Sequence, residues 1–279
     1  MSKLTILDGP VGTQLDARGI SIDGPKWSAA AIAQQGNVIA DIHRDYAAAG
    51  ATIHTANTFR TKRRSVGDRW KQLTAAAIQM TRQLIGTEMR VAGSIAPLQD
   101  CYRRDLSPAD SDPKTTAIEH REMAMELAQC GCDLLLCETF PHPGEALIAV
   151  QQAVQTGKPT WLSLSAGPDG DLLTPAEVAQ CARRAVDAGV EAVLVNCIGA
   201  TWTLPFVEAI ARANLGVPIG AYANAGRTSE SIPWNDSSDK STAAYRELAK
   251  TWVDAGATIL GGCCGTTPAH TASLQSLTT

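Results

Sequence analysis

The sequence predicts an α/β protein of one domain, a closed (β/α)8 TIM barrel over residues 1–279. Three observations lead there. Eight short apolar, β-branched runs alternate with stretches of helical periodicity, the pattern of parallel strands joined by right-handed crossovers. Four of the joins share one design. The 279 residues match the roughly 250 of a typical barrel, and no Ser/Pro-rich linker divides them.

In chain order the strands are expected at 4–8 (LTILD), 52–57 (TIHTAN), 90–95 (RVAGSI), 133–139 (DLLLCET), 160–165 (TWLSLS), 192–197 (AVLVNC), 218–224 (PIGAYAN) and 258–263 (TILGGC). Amphipathic stretches lie between them, such as 37–50 (NVIADIHRDYAAAG), 115–131 (TTAIEHREMAMELAQCG) and 175–189 (PAEVAQCARRAVDAG). The repeated join is a last helical turn, a glycine, two residues and a strand. Its glycines are Gly50, Gly131, Gly189 and Gly256, each expected as the left-handed residue that ends a helix. All four precede even-numbered strands. An open doubly wound sheet would use the same join, so the count of eight decides for the barrel.

The chain is 44% hydrophobic and 19% charged, the balance of a soluble globular protein. A net charge of −4 gives no reason to expect nucleic acid, and no basic amphipathic face suggests a membrane surface. No apolar run approaches the ~20 residues of a membrane span, and the first ten residues do not form a signal peptide. Eight cysteines without an export signal favour a reducing, cytoplasmic setting over a disulfide framework.

In parallel barrels chemistry collects where strands end. Strand 1 ends in Asp8-Gly9, strand 4 in Glu138-Thr139, strand 6 in Asn196-Cys197, strand 7 in Asn224 and strand 8 in Gly262-Cys263-Cys264. Adjacent cysteines bridge each other only with strain, which leaves a metal, a reactive thiol or simple packing for Cys263 and Cys264. Strands 6 and 8 are two apart, so Cys197 can join that pair around one ion. Three thiolates and an open fourth position describe a catalytic rather than a structural zinc. Cys101, Cys130, Cys132, Cys137 and Cys181 share no destination and read as packing cysteines. The histidines, His43, His54, His120, His142 and His270, read as surface or packing residues and offer no competing site. Asp8 and Glu138 end apolar strands and must be paired or offered to a ligand. They fit general acid–base chemistry, an ammonium site, or, for Asp8, a helix cap. No lysine ends a strand, which argues against Schiff-base chemistry.

With these residues in place, the chain resembles the homocysteine S-methyltransferase family over essentially its whole length. The resemblance rests on LDGPVGTQL (7–15), WSA (27–29), IHRDYAAAGATIHTANTF (42–59), AGSIAP (92–97), CETF (137–140), VNC (195–197), YANAG (222–226) and GGCCGTTPAH (261–270). It implies Cys197, Cys263 and Cys264 as ligands of a catalytic Zn2+. It implies Asp8 and Glu138 at the homocysteine amino group and Gly9 near the carboxylate, with Asn224 as a further substrate contact. Pro10 stands where relatives carry Gly or Ala; lacking an N–H, it would leave the carboxylate to Gly12 or Thr13. The implied reaction methylates L-homocysteine to methionine. S-methylmethionine or S-adenosylmethionine is favoured as the small-molecule donor, with betaine or a corrinoid protein as alternatives. Trp27, Phe59, Phe140 and Trp202 flank strand ends, where aromatic rings would assist a cationic donor. Segment 98–113, LQDCYRRDLSPADSDP, is the expected donor loop or partner surface. Two other classes remain: a metal-free thiol-redox protein, and an amino-acid-binding barrel with structural zinc.

Overall fold

The computed structural model describes residues 4–24, 26–226 and 232–278. Its eight strands are β1 Thr5–Ile6, β2 Ile53–Ala56, β3 Arg90–Ile95, β4 Leu134–Phe140, β5 Thr160–Leu164, β6 Ala192–Gly199, β7 Ile219–Asn224 and β8 Ile259–Gly262. They pair in parallel in the order β1-β8-β7-β6-β5-β4-β3-β2. A parallel bridge between Leu7 and Ile53, with Asp8 N donating to Ile53 O at 2.9 Å, joins β1 to β2. The sheet therefore closes, and the open alternative is excluded.

Eleven α-helices are described: α1 Val11–Ala17, α2 Ala29–Gln34, α3 Gly36–Ala48, α4 Arg63–Val66, α5 Trp70–Ile85, α6 Pro113–Gln129, α7 Pro143–Val154, α8 Pro175–Asp187, α9 Leu204–Arg212, α10 Asp239–Asp254 and α11 Pro268–Leu274. The four repeated joins end as expected, with Gly50, Gly131, Gly189 and Gly256 at φ of 91°, 86°, 105° and 110°. A Cβ is disfavoured there, so glycine ends the helix and turns the chain into the next strand. No helix among the described residues is long and apolar enough to cross a membrane.

Alternation along each strand sorts side chains into two cores. Leu7, Ile53, Leu134, Leu136, Ala192, Leu194, Tyr222 and Ile259 fill the barrel interior. Leu135, Cys137, Val193, Val195 and Leu260 face outward and pack beneath the helices. This parity sends Glu138, two residues past Leu136, toward the barrel mouth. It would send Cys197 out with Val193 and Val195, yet Cys197 packs with the interior set. The cause is local. Pairing of β6 with β7 shifts register between Asn196 and Gly199, and Cys197 takes a left-handed φ of 53°. β4 carries the matching irregularity between Cys137 and Phe140, with Thr139 at φ 63°. Such bulges re-aim side chains, and non-glycine residues held there store strain.

Candidate functional site

The two bulges are tied together by one side chain. Asn196 Oδ1 accepts from Thr139 N at 3.1 Å and from Ser163 Oγ at 2.8 Å, and Asn196 Nδ2 donates to Thr139 Oγ1 at 2.8 Å. The same Nδ2 donates to Cys197 Sγ at 3.5 Å. Asn196 thus holds β4 and β6 in the strained conformation that delivers Cys197 to the interior, a role its place beside a cysteine did not disclose.

Cys263 follows β8 with inward parity, and Cys264 comes next in a turn. The Cys197 and Cys263 sulfurs stand 2.6 Å apart, and all three sulfurs lie within 4.8 Å of one another. Cys264 is held well below the ordinary thiol range by hydrogen bonds from Cys197 and Cys263, with a further one from Tyr102. Hydrogen bonding to Cys263 and burial push the Cys197 thiol up. The turn is supported from behind: Gly265 N donates to Thr13 Oγ1 at 3.2 Å and Gln14 Nε2 to Thr266 O at 3.2 Å. Thr267 caps α11, and its N–H donates to His270 Nδ1 at 3.1 Å. His270 is accordingly a buried structural residue.

The three cysteines open on a cavity of about 520 Å³ whose wall includes Asp8, Gly9, Gly12, Glu138 and Tyr222. Glu138 accepts from Ser94 Oγ and, at 3.0 Å, from Tyr222 Oη. Burial nevertheless pushes its carboxyl up to about 7. Burial also raises Asp8, and Glu138 adds to the rise through charge repulsion, although Thr55 N donates to Asp8 Oδ2 at 3.0 Å. Two buried carboxylates beside thiols make the cavity floor strongly receptive to a cation. Both glycines on this wall are required by close neighbours: a Cβ on Gly9 would fall 2.5 Å from the buried Tyr46 Oη behind it, and one on Gly12 would fall 2.6 Å from the Trp27 ring, which also lines the cavity.

Not every expected residue reaches the cavity. Thr13 and Asn224 are absent from its wall: Thr13 braces the cysteine turn, and Asn224 lies buried at the end of β7 with Oδ1 unpartnered among the described residues. Trp27 and Phe59 do line it, edge to face at 5.9 Å, whereas Phe140 is fully buried against His120 and Trp202 is 56% exposed. Cys101, expected as a packing cysteine, lies on the wall, carried there with Leu98 and Tyr102 by the segment after β3. That segment is clamped by buried Glu145 of α7, which accepts from Leu98 N at 2.7 Å and Ser107 Oγ at 2.6 Å and pairs with His120 at 3.2 Å.

The expectation that histidines form no competing cluster needs correction. His54 faces outward from β2 and meets His43 of α3, with ring centroids 5.6 Å apart. Asp8 Oδ2 lies 3.7 Å from His43 Nδ1 and 3.8 Å from His54 Nδ1, so the three form a second group with metal-type spacing. Burial lowers His43 to about 3 and His54 to about 4, so both imidazoles are neutral at physiological pH. Sequence spacing alone cannot reveal a contact between a helix face and the outer face of a strand end.

The thiol group fits zinc by its chemistry: three soft, convergent donors, confined within the reach of bonds of about 2.3 Å, on the wall of an open cavity. The fold is that of the homocysteine methyltransferase MmuM from Escherichia coli. The metallated form of that enzyme superposes with a TM-score of 0.81 at 23% identity, covering 99% of this chain and 96% of that one. The oxidised form gives 0.80 at 26% identity, covering 98% and 96%. Among curated relatives, homocysteine S-methyltransferase 1 of Saccharomyces cerevisiae is 27% identical over 98% of this chain and 94% of its own length. Homocysteine S-methyltransferase 4 of Zea mays is 28% identical over 95% and 86%. The model of the homocysteine S-methyltransferase family matches residues 5–278, and the chain belongs to that family.

Proposed function

We propose that this protein transfers a methyl group from a small onium donor to the sulfur of L-homocysteine, giving methionine. Cys197, Cys263 and Cys264 would hold the zinc. The observation that carries this reading is the meeting of three thiols and two buried carboxylates, Asp8 and Glu138, on one cavity wall.

Zinc on three cysteine sulfurs supplies the Lewis acidity that keeps an incoming thiol deprotonated at neutral pH. The chain's own residues do the rest. Asp8 and Glu138 receive the homocysteine ammonium, whose charge offsets the repulsion and desolvation that raise both carboxyls. Tyr222 and Ser94 orient Glu138 through its two oxygens. Gly9 and Gly12 line the cavity where the substrate backbone would lie. Trp27 and Phe59 offer ring faces to the cationic donor, an attraction that disappears once its charge is spent. As the new sulfur–carbon bond forms, the donor's methyl–sulfur bond breaks and its electron pair stays with the departing thioether. The homocysteine thiol proton is released. S-methylmethionine and S-adenosylmethionine are the donors this acidic, aromatic cavity favours.

X-ray absorption at the zinc edge tests the reading. Homocysteine should add one sulfur to the metal's shell, and methionine should form when S-methylmethionine or S-adenosylmethionine is supplied. A shell indifferent to homocysteine would overturn the proposed reaction. Turnover only with betaine or a methylated corrinoid protein would replace the donor and retain the thiol site.

A further inference from the structure

Four cations stand within five residues after β2: Arg60, Lys62, Arg63 and Arg64. Three have acceptors. Arg64 makes a two-point contact with Glu119 at 2.6 and 2.7 Å, Arg63 reaches Glu122 at 3.4 Å, and Lys62 donates to Pro97 O. Arg60 differs. Among the described residues it has no hydrogen bond or ion pair, and its guanidinium lies 5.4 Å from the Phe59 ring centroid. It is half-buried and lines the same cavity as the three thiols, near Phe59 and Trp27.

A half-buried guanidinium without an acceptor, facing a ligand cavity, calls for an anion. Carboxylates suit it best, because the planar fork meets both oxygens. Asp100 also lines the cavity, but its Oδ1 accepts from Tyr102 N at 2.8 Å and it forms no ion pair with Arg60. The cavity is therefore dipolar. Thiols, Asp8 and Glu138 make one region anionic, while Arg60 makes another cationic, with Trp27 and Phe59 in the same wall. Its volume of about 520 Å³ admits two amino-acid-sized molecules together.

We propose that Arg60 is the anion-recognition residue of the methyl-donor subsite, selecting a zwitterionic donor that carries a carboxylate apart from its onium centre. The proposal rests on the methyltransferase reading of the cavity and adds to it a residue that decides among donors. S-methylmethionine satisfies it; an onium with its carboxylate blocked does not.

The test compares S-methyl-L-methionine with its carboxamide on the zinc-loaded protein, as wild type, Arg60→Gln and Arg60→Lys. KM is measured for donor and for homocysteine. Calorimetric titration of each donor without homocysteine supplies a binding readout. Wild type should prefer the carboxylate. Arg60→Gln should weaken the carboxylated donor about tenfold to a hundredfold, the range for a lost charged hydrogen bond. Homocysteine and the carboxamide should shift by less than about twofold, and Arg60→Lys should recover part of the loss, keeping charge but not the fork. A rise confined to the homocysteine KM would overturn the assignment by giving Arg60 to the other substrate. Equal behaviour of the two donors in wild type would overturn it as well. Cobalt-substituted wild-type protein separates the levels. If its thiolate absorption responds to homocysteine while no carboxylated donor binds, the donor assignment fails and the thiol site stands; if that response is missing, the methyltransferase reading itself fails.

Discussion

Cys197, Cys263 and Cys264, and Asp8, His43 and His54, are both clusters of three metal-type side chains held within 4.8 Å. They differ in what surrounds them. The thiols open onto the cavity, and one of them reaches it only through a bulge with a left-handed cysteine. The histidines are fully buried, absent from the cavity wall and neutral, and only their partner Asp8 faces the ligand space. Short spacing therefore does not by itself make a catalytic metal centre. An open position and strain retained at the ligands are what the proposed thiol site has and the buried histidine cluster lacks.

The comparison breaks most directly on metal content. Cys264→Ser should leave less than about 0.1 zinc per chain after dialysis and abolish methyl transfer, since a zinc site does not readily survive loss of one of three protein ligands. His43→Asn should keep the metal stoichiometric. Atomic absorption on both variants decides: zinc retained by Cys264→Ser and lost from His43→Asn would move the metal centre to the histidine cluster.

A second separation concerns the carboxylates. Glu138 lines the cavity with its oxygens held by Ser94 and Tyr222. Glu138→Gln keeps the shape and removes the charge, so homocysteine KM should rise about tenfold to a hundredfold with zinc content unchanged. A fall in kcat at constant KM would instead give Glu138 a part in the chemical step.

The histidine cluster is best probed by pH. His43 sits near 3 in the fold against about 6.5 in the unfolded chain. A depressed histidine contributes stability that is complete above about pH 6.5 and is lost as pH falls toward 3. Glu138, raised to about 7, acts in the opposite sense, losing its contribution as pH rises through that value. Comparing wild type with His43→Asn cancels the acids. The cost of the substitution at pH 7, read from denaturant unfolding, should shrink by about 2 kcal/mol at pH 5. A cost independent of pH would mean that His43 is not held neutral in the fold.

Position along a strand implied direction for several residues, though Asn224, at the end of β7, does not reach the cavity wall. Glu138 and Cys263 reach the mouth by simple alternation, and the four helix-ending glycines mark the joins to the even strands. Where direction depends on a partner, alternation did not suffice. Cys197 joins the other two thiols as expected from its strand end, but it has outward parity and is turned in by a bulge that Asn196 secures; His54 is outward by parity but meets a helix residue that alternation cannot see. Arg60 lies in a cationic run in which Lys62, Arg63 and Arg64 each find an acceptor and it finds none among the described residues, a difference the sequence does not display.

Thr13 gives the smallest and sharpest test of that lesson. Its place in the turn after strand 1 suggested contact with the substrate carboxylate, but its hydroxyl is taken by Gly265 N and it does not line the cavity. Thr13→Val keeps the shape and removes the acceptor, leaving a buried N–H unpaired at the turn that carries Cys263 and Cys264. Unfolding stability should fall by about 1–3 kcal/mol. Homocysteine KM should stay within about twofold, the difference between bracing a ligand loop and touching the ligand. A tenfold rise in KM at unchanged stability would return Thr13 to the substrate. It would also mean that the support of the cysteine turn comes from Gln14 and the α11 cap.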